Sequence, residues 1–193
     1  MAVERLSRAS IGTLNKYSSM MAGSAYLTDY QLISTTVLAS NTASVSFSSI
    51  PNTYRHLQIR YAARTDVAAV ADDLTLRFNG DSTSSYVWHA LTGNGTTVSS
   101  LYTAASSWMT AGGLVGASAA TNVFASGVID ILDYGQTKNK TVKSLSGYYD
   151  STKKTLFESG LWLNTAAITS LTFFDANTAN FVAGSRFSLY GWN

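Results

Sequence analysis

The sequence predicts an all-β protein: an antiparallel, jelly-roll-like β-sandwich of about ten strands, preceded by an extended or helical N-terminal anchoring arm. Apolar and polar residues alternate in most segments after residue 30, as they do in strands with one buried face. Short clusters of Gly, Asn, Asp, Ser and Thr separate these segments and are typical of turns. The 193 residues are 46% hydrophobic and 12% aromatic, which is enough for one folded core.

Residues 1–30 are predicted to be the anchoring arm. A helical stripe of apolar residues, spaced three, three and four apart, runs through this segment from Ile11 to Met21. The first sixteen residues carry a net charge of +2, whereas the rest of the chain is balanced. A frayed tail is the alternative interpretation. We expect the arm to dock on a partner protein through eight residues: Arg5, Arg8, Ile11, Leu14, Lys16, Tyr17, Met20 and Met21.

Residues 31–193 are predicted to form the β-sandwich body. Its predicted strands are 32–39, 44–50, 56–62, 73–80, 86–91, 127–132, 140–149, 154–163, 166–174 and 185–192. Pro51, the single proline, indicates a turn between the second and third of these strands. Residues 93–122 have the least regular pattern, and we expect them to make a long excursion from the sandwich, at an interface between copies.

The composition excludes several classes of protein. The sequence has no cysteine, which excludes disulfides, thiolate metal sites and cysteine nucleophiles. The neutral body has no basic face for nucleic acid, and no run approaches the roughly 20 apolar residues of a membrane span. Charged residues make up only 12% of the chain, against about 25% in a typical globular protein. A surface with so few charges favours a protein that is covered by partners in an assembly.

The two histidines do not indicate a catalytic or metal site. His56 and His89 lack the paired spacing found in zinc hydrolases. We interpret both as structural or surface residues, with His56 on the polar face of its strand, opposite Leu57. We therefore predict no catalytic residue, no metal site and no cofactor.

Paired carboxylates are the other pattern that an enzyme would use. Asp72 and Asp73 are expected in a turn before a strand. Asp130 and Asp133 are three residues apart, so a strand would point them to opposite faces. The oxygen-rich segment 79–85 lacks the spacing of a calcium loop and is interpreted as a turn. These patterns disfavour a glycosidase.

Aromatic residues near the predicted turns form a candidate glycan-binding site. Their flat rings could stack on sugar rings, although aromatic residues at turns also belong to cores and interfaces. The candidate residues are Trp88, Trp108 and Tyr102.

The segment 44–66, with sequence SVSFSSIPNTYRHLQIRYAARTD, resembles a group of virion structural proteins of tailed bacteriophages, including phages of cyanobacteria and marine bacteria. The shared run is a strand followed by S-I-P-x-T-Y and H-L-Q-I-R, matched by Ser49–Tyr54 and His56–Arg60. Further similar segments are 16–26, 78–86, 91–100, 128–134, 160–173 and 181–192. The similar segments are structural motifs and not catalytic ones.

The resemblance implies a non-enzymatic virion structural protein that is made in the cytoplasm of a bacterial host. The first hypothesis is a capsid decoration or cement protein, a homotrimer bound to the major capsid protein through its arm. The alternative is a short tail fibre or baseplate adhesin, bound to a tail or baseplate protein and recognising a host surface glycan. A hydrolytic depolymerase is a third hypothesis, for which the sequence offers no active site.

Overall fold

A computed structural model describes residues 30–151 and 153–193, and these ranges contain twelve β-strands and no helix. The strands are Tyr30–Val37 (β1), Ser44–Phe47 (β2), His56–Ala63 (β3), Ala71–Phe78 (β4), Tyr86–Gly93 (β5), Val98–Ser106 (β6), Met109–Val115 (β7), Ala125–Ile131 (β8), Lys140–Tyr148 (β9), Lys154–Trp162 (β10), Leu171–Phe174 (β11) and Arg186–Trp192 (β12). The predicted all-β class is confirmed. The predicted arm lies outside the described residues, except that residue 30 begins β1.

The strands form two sheets. The large sheet has eight strands in the order β1-β12-β3-β8-β9-β10-β5-β6, and the small sheet has four in the order β2-β11-β4-β7. All neighbouring strands are antiparallel. The strands β1 to β4 alternate between the two sheets, whereas the pairs β5–β6 and β9–β10 stay within the large sheet. These two pairs therefore widen the large sheet beyond β8.

One hydrophobic core fills the space between the sheets. The alternating pattern of β3 buries Leu57 and Ile59, as the sequence predicts for a strand with one covered face. An aromatic cluster lies where β4, β5 and β10 meet, and it consists of Phe78, Tyr86 and Trp162. The Trp162 ring centroid is 5.4 Å from that of Phe78 and 6.4 Å from that of Tyr86. This cluster fastens the widened part of the large sheet to the small sheet.

The excursion predicted for residues 93–122 is wrong, because two strands, β6 and β7, lie in this segment. Every residue of β7 is buried. Such a strand shows no alternation because both of its faces are covered. A Cβ on Gly113 would lie 2.8 Å from the Leu156 Cδ1 atom, so glycine lets β7 approach β10 closely. The β6 strand also shows no alternation, but for the opposite reason. Its residues are exposed on both faces, so neither face needs apolar residues.

Candidate interaction surfaces

The small sheet covers one face of the large sheet, and the opposite, outer face carries a line of apolar side chains. The strand register sets Leu91 beside Phe157, Phe157 beside Leu145, and Leu145 beside Val128. We call these four residues the apolar row. Three of them are about half exposed, and Val128 is partly buried. Scattered apolar residues are ordinary on a protein surface, whereas this line is contiguous across four strands and is therefore a candidate contact surface.

A shallow groove of about 370 Å³ lies next to the apolar row, between β6, β5 and β10. Tyr102 and His89 stand directly opposite each other across the β5–β6 pair, and Ser159 lines the same groove. Tyr102 is 75% exposed. An exposed ring beside hydroxyl and imidazole groups combines a stacking surface with hydrogen-bonding groups, which is the combination that a sugar ring requires.

The structure brings two of the three predicted glycan-binding residues together. Trp88 and Tyr102 both line the groove. Trp88 also packs against the core, and its Nε1 atom is buried without a hydrogen-bond partner. Trp108 is not part of the groove, because its ring packs edge-on against Phe174 of the small sheet, with centroids 6.4 Å apart.

A polar pocket of about 750 Å³ lies at the end of the sandwich near the turn after β8. There the Asp133 carboxylate accepts hydrogen bonds from Lys138 Nζ and from Arg55 Nε, the latter at 3.2 Å. The hydrogen bond from Lys138 is the largest cause that lowers the pKa of Asp133. The His56 ring lies against Trp192, and its Nδ1 atom accepts a hydrogen bond from the Asp133 N–H at 2.9 Å. Burial lowers the pKa of the His56 imidazole.

Asp130 and Asp133 lie in different surroundings. Asp130 lies on the outer face of β8, where it accepts a hydrogen bond from Gln58 Nε2 at 2.8 Å. Asp133 follows the strand in a turn, with a φ of 49°. Of the two carboxylates, Asp133 lines the polar pocket and Asp130 does not.

The sequence prediction that Asp72 and Asp73 lie in a turn is wrong, because both belong to β4. The Asp72 carboxyl group is buried, accepts a hydrogen bond from Thr65 Oγ1 at 2.5 Å and lies against the carboxyl group of Asp175. Burial, together with the Asp175 carboxyl, raises the pKa of Asp72. Sequence reasoning missed this contact because Asp175 follows β11, about a hundred residues later.

Across the described ranges, no group of three or more His, Asp or Glu side chains could hold a metal ion.

All eight residues predicted to anchor the arm lie outside the described residues. In ranges 30–151 and 153–193, no helix is long and apolar enough to cross a membrane. No protein-family model matches the chain, and no curated protein matches its sequence.

Proposed function

We propose that the protein is a non-enzymatic structural component of the surface of a bacteriophage virion, and that it acts as a capsid decoration or cement protein. The observation that carries this proposal is the apolar row on the open face of the large sheet. A body with few charges and such a row gains stability when a neighbouring protein covers it. The resemblance of residues 44–66 to structural proteins of tailed phages supports a virion as the assembly.

In this proposal the arm provides the attachment. Burying Ile11, Leu14, Tyr17 and Met21 against the major capsid protein would contribute about 1.5–3 kcal/mol for each side chain. An oligomer would attach several arms at once, and each contact after the first would then form at a high effective concentration. We therefore expect Tyr17→Asp with Met21→Asp to abolish binding to particles. The matched control is Ser18→Asp with Ser19→Asp, which adds the same charge and should retain binding.

The proposal includes a jelly roll for the body, since viral capsid domains commonly use this fold. The strand pairs support it. When the hairpins β5–β6 and β9–β10 are set aside, the eight remaining strands pair first with last: β1 with β12, β2 with β11, β3 with β8 and β4 with β7. This is the pairing of one long antiparallel ribbon, and rolling that ribbon into two layers gives a jelly roll. The two hairpins would then be insertions that widen one layer.

The experiment that tests the proposed function locates the protein on intact phage particles by electron microscopy with a gold-labelled antibody. Label spread over the head is the expected result. Label confined to the tail would contradict the decoration proposal and favour the alternative, a short tail fibre or baseplate adhesin. Absence of label from purified particles would contradict both.

The groove at Tyr102 is the specific observation that favours the adhesin. A host surface glycan would stack on this ring. Binding in a glycan screen should be lost in Tyr102→Ala and kept in Tyr149→Ala, because the two rings are equally exposed, at 75% and 76%, and only Tyr102 lines the groove. Equal loss in both variants, or no binding by the unmodified protein, would contradict the adhesin.

A further inference from the structure

The strands at the edges of the two sheets carry no charge. The edge strands are β1 and β6 in the large sheet, and β2 and β7 in the small sheet. The charged residues of the strands all lie on interior strands: Arg60, Asp72, Asp73, Arg77, Asp130, Lys140, Lys143, Lys154, Glu158 and Arg186. Proteins that remain monomeric usually do the reverse, and protect an edge with charged residues, proline, bulges or a short strand.

Among the four edges, β6 is the one that is long and open. The β7 strand is buried, β2 has four residues, and β1 is interrupted by a bulge between Leu32 and Ser34. The β6 strand has nine residues and pairs regularly with β5 from Val98 to Thr103. Leu101 and Tyr102 in this regular part are 61% and 75% exposed, on opposite faces of the strand. An uncharged edge of this length is a surface on which another strand can pair.

We infer that β6 pairs antiparallel with β6 of a second copy of this chain, across a two-fold axis at Ser100. A two-fold axis brings a strand antiparallel to itself, and a strand without charge meets no like-charge repulsion in that arrangement. With Ser100 at the centre, Val98 of each copy lies opposite Tyr102 of the other, on the outer face. Pairs of an aromatic and a β-branched residue are favourable across strands. On the inner face, the small Ser99 lies opposite the larger Leu101.

The position of the apolar row also supports a two-fold axis at Ser100. Ser100 stands directly opposite Leu91 in the β5–β6 pair, and Leu91 is the end of the row. A two-fold axis at Ser100 therefore aligns the rows of two copies into one band across the joined sheets, in which the two Ser100 residues separate the Leu91 ends. The band would offer the covering protein a contact surface twice as long as that of one copy.

Sedimentation velocity at several protein concentrations tests this inference. We expect an even-numbered assembly that dissociates on dilution. Leu101→Lys should raise its dissociation constant at least tenfold, because the two new charges would lie diagonally across the two-fold axis from each other and repel. Val37→Lys is the matched control, since Val37 is 59% exposed on the opposite edge of the same sheet, and it should leave the constant unchanged. Both substituted side chains are exposed, so both variants should fold, which circular dichroism checks.

A single introduced cysteine tests the register, because the chain has no cysteine of its own. Ser100→Cys should form a disulfide-linked dimer under mild oxidation, and Val37→Cys should not.

Three results would overturn the inference. The first is a trimer that both lysine variants dissociate, which indicates pairing of β6 with β1. The second is a protein that stays monomeric at every concentration. The third is a dimer whose dissociation constant Leu101→Lys does not change and in which Ser100→Cys forms no disulfide.

Discussion

The two ends of the large sheet differ in how the strand at each edge is held. At the β1 end, the Tyr30 ring stacks on Tyr190 at 4.7 Å, and the Arg60 guanidinium lies over both rings at 5.3 and 5.6 Å. The Tyr30 hydroxyl also donates a hydrogen bond to Gln58. In the described structure, β6 has no side-chain hydrogen bond before Ser106. One edge is therefore secured by side chains of the same chain, and the other is secured by backbone pairing with β5 alone.

The small sheet explains this difference. Its strand β7 packs over β8, β9 and β10 and reaches β5. It leaves the inner face of β6 uncovered, and Leu101 on that face is exposed as a result. At the other end, Ile33 of β1 packs against the core. The hairpin β5–β6 therefore extends past the sandwich that supports it, so its outer strand depends on how firmly β5 is anchored.

The largest expected effect comes from removing that anchor. Trp162→Ala deletes a ring from the aromatic cluster that ties β10 and β5 to β4, and we expect a loss of about 3–5 kcal/mol in the free energy of unfolding, measured in urea. Hydrogen exchange should rise more in residues 98–106 than in 30–37. The neighbouring exposed Leu163→Ala is the control, with a change within about 0.5 kcal/mol. An equal rise in amide exchange in residues 98–106 and 30–37 would show that β6 depends on this anchor no more than β1 does.

The second effect depends on pH and concerns Glu158, which is buried beneath β7 and accepts a hydrogen bond from Ser144 Oγ at 3.0 Å. Burial raises the pKa of Glu158 from 4.5 to about 7. Between these values the folded state holds more protons than the unfolded state, so stability falls as the pH rises. The total loss is on the order of 3 kcal/mol and is complete above pH 7.

Glu158→Gln keeps a neutral side chain at every pH, so the variant should be more stable than the unmodified protein at pH 8 and similar to it at pH 4. Urea unfolding of both proteins at the two pH values measures this, and the difference between them removes contributions from other titrating groups. A difference that does not change with pH would show that the Glu158 carboxyl is not desolvated as the structure indicates.

The smallest effect concerns the β1 end. Arg60→Met removes the guanidinium from the two stacked rings, and we expect a loss of about 1 kcal/mol in the free energy of unfolding. Exchange of the amides in residues 30–37 should increase, with no change in 98–106. Arg186→Met, an exposed arginine on β12, serves as the control. If both variants behave alike, the difference between the two edges does not come from the ring contacts.

Strand positions could be predicted wherever a strand has one covered face. The alternation in β3 and β10 follows from that arrangement, and both strands lie where the sequence predicts. The sequence did not reveal β6 and β7, because alternation disappears when both faces of a strand are exposed or both are buried. For the candidate site, Trp88 and Tyr102 could be named from the sequence, but only the pairing of β5 with β6 set them beside one groove.

Segment 79–85 contains both a turn that the local sequence predicts and a contact that depends on the tertiary structure. By itself the sequence determined a turn there, because Asn, Gly, Asp and Ser favour local backbone hydrogen bonds. The tertiary structure added a long-range contact, in which Trp162 Nε1 donates a hydrogen bond to the Asp81 carboxylate at 2.7 Å. Burial alone would raise the pKa of Asp81, but hydrogen bonds from Thr83, Ser85 and Trp162 outweigh it and hold the pKa well below its usual range. Local preferences act between neighbours in sequence, whereas contacts such as this one depend on which strands the two sheets bring together.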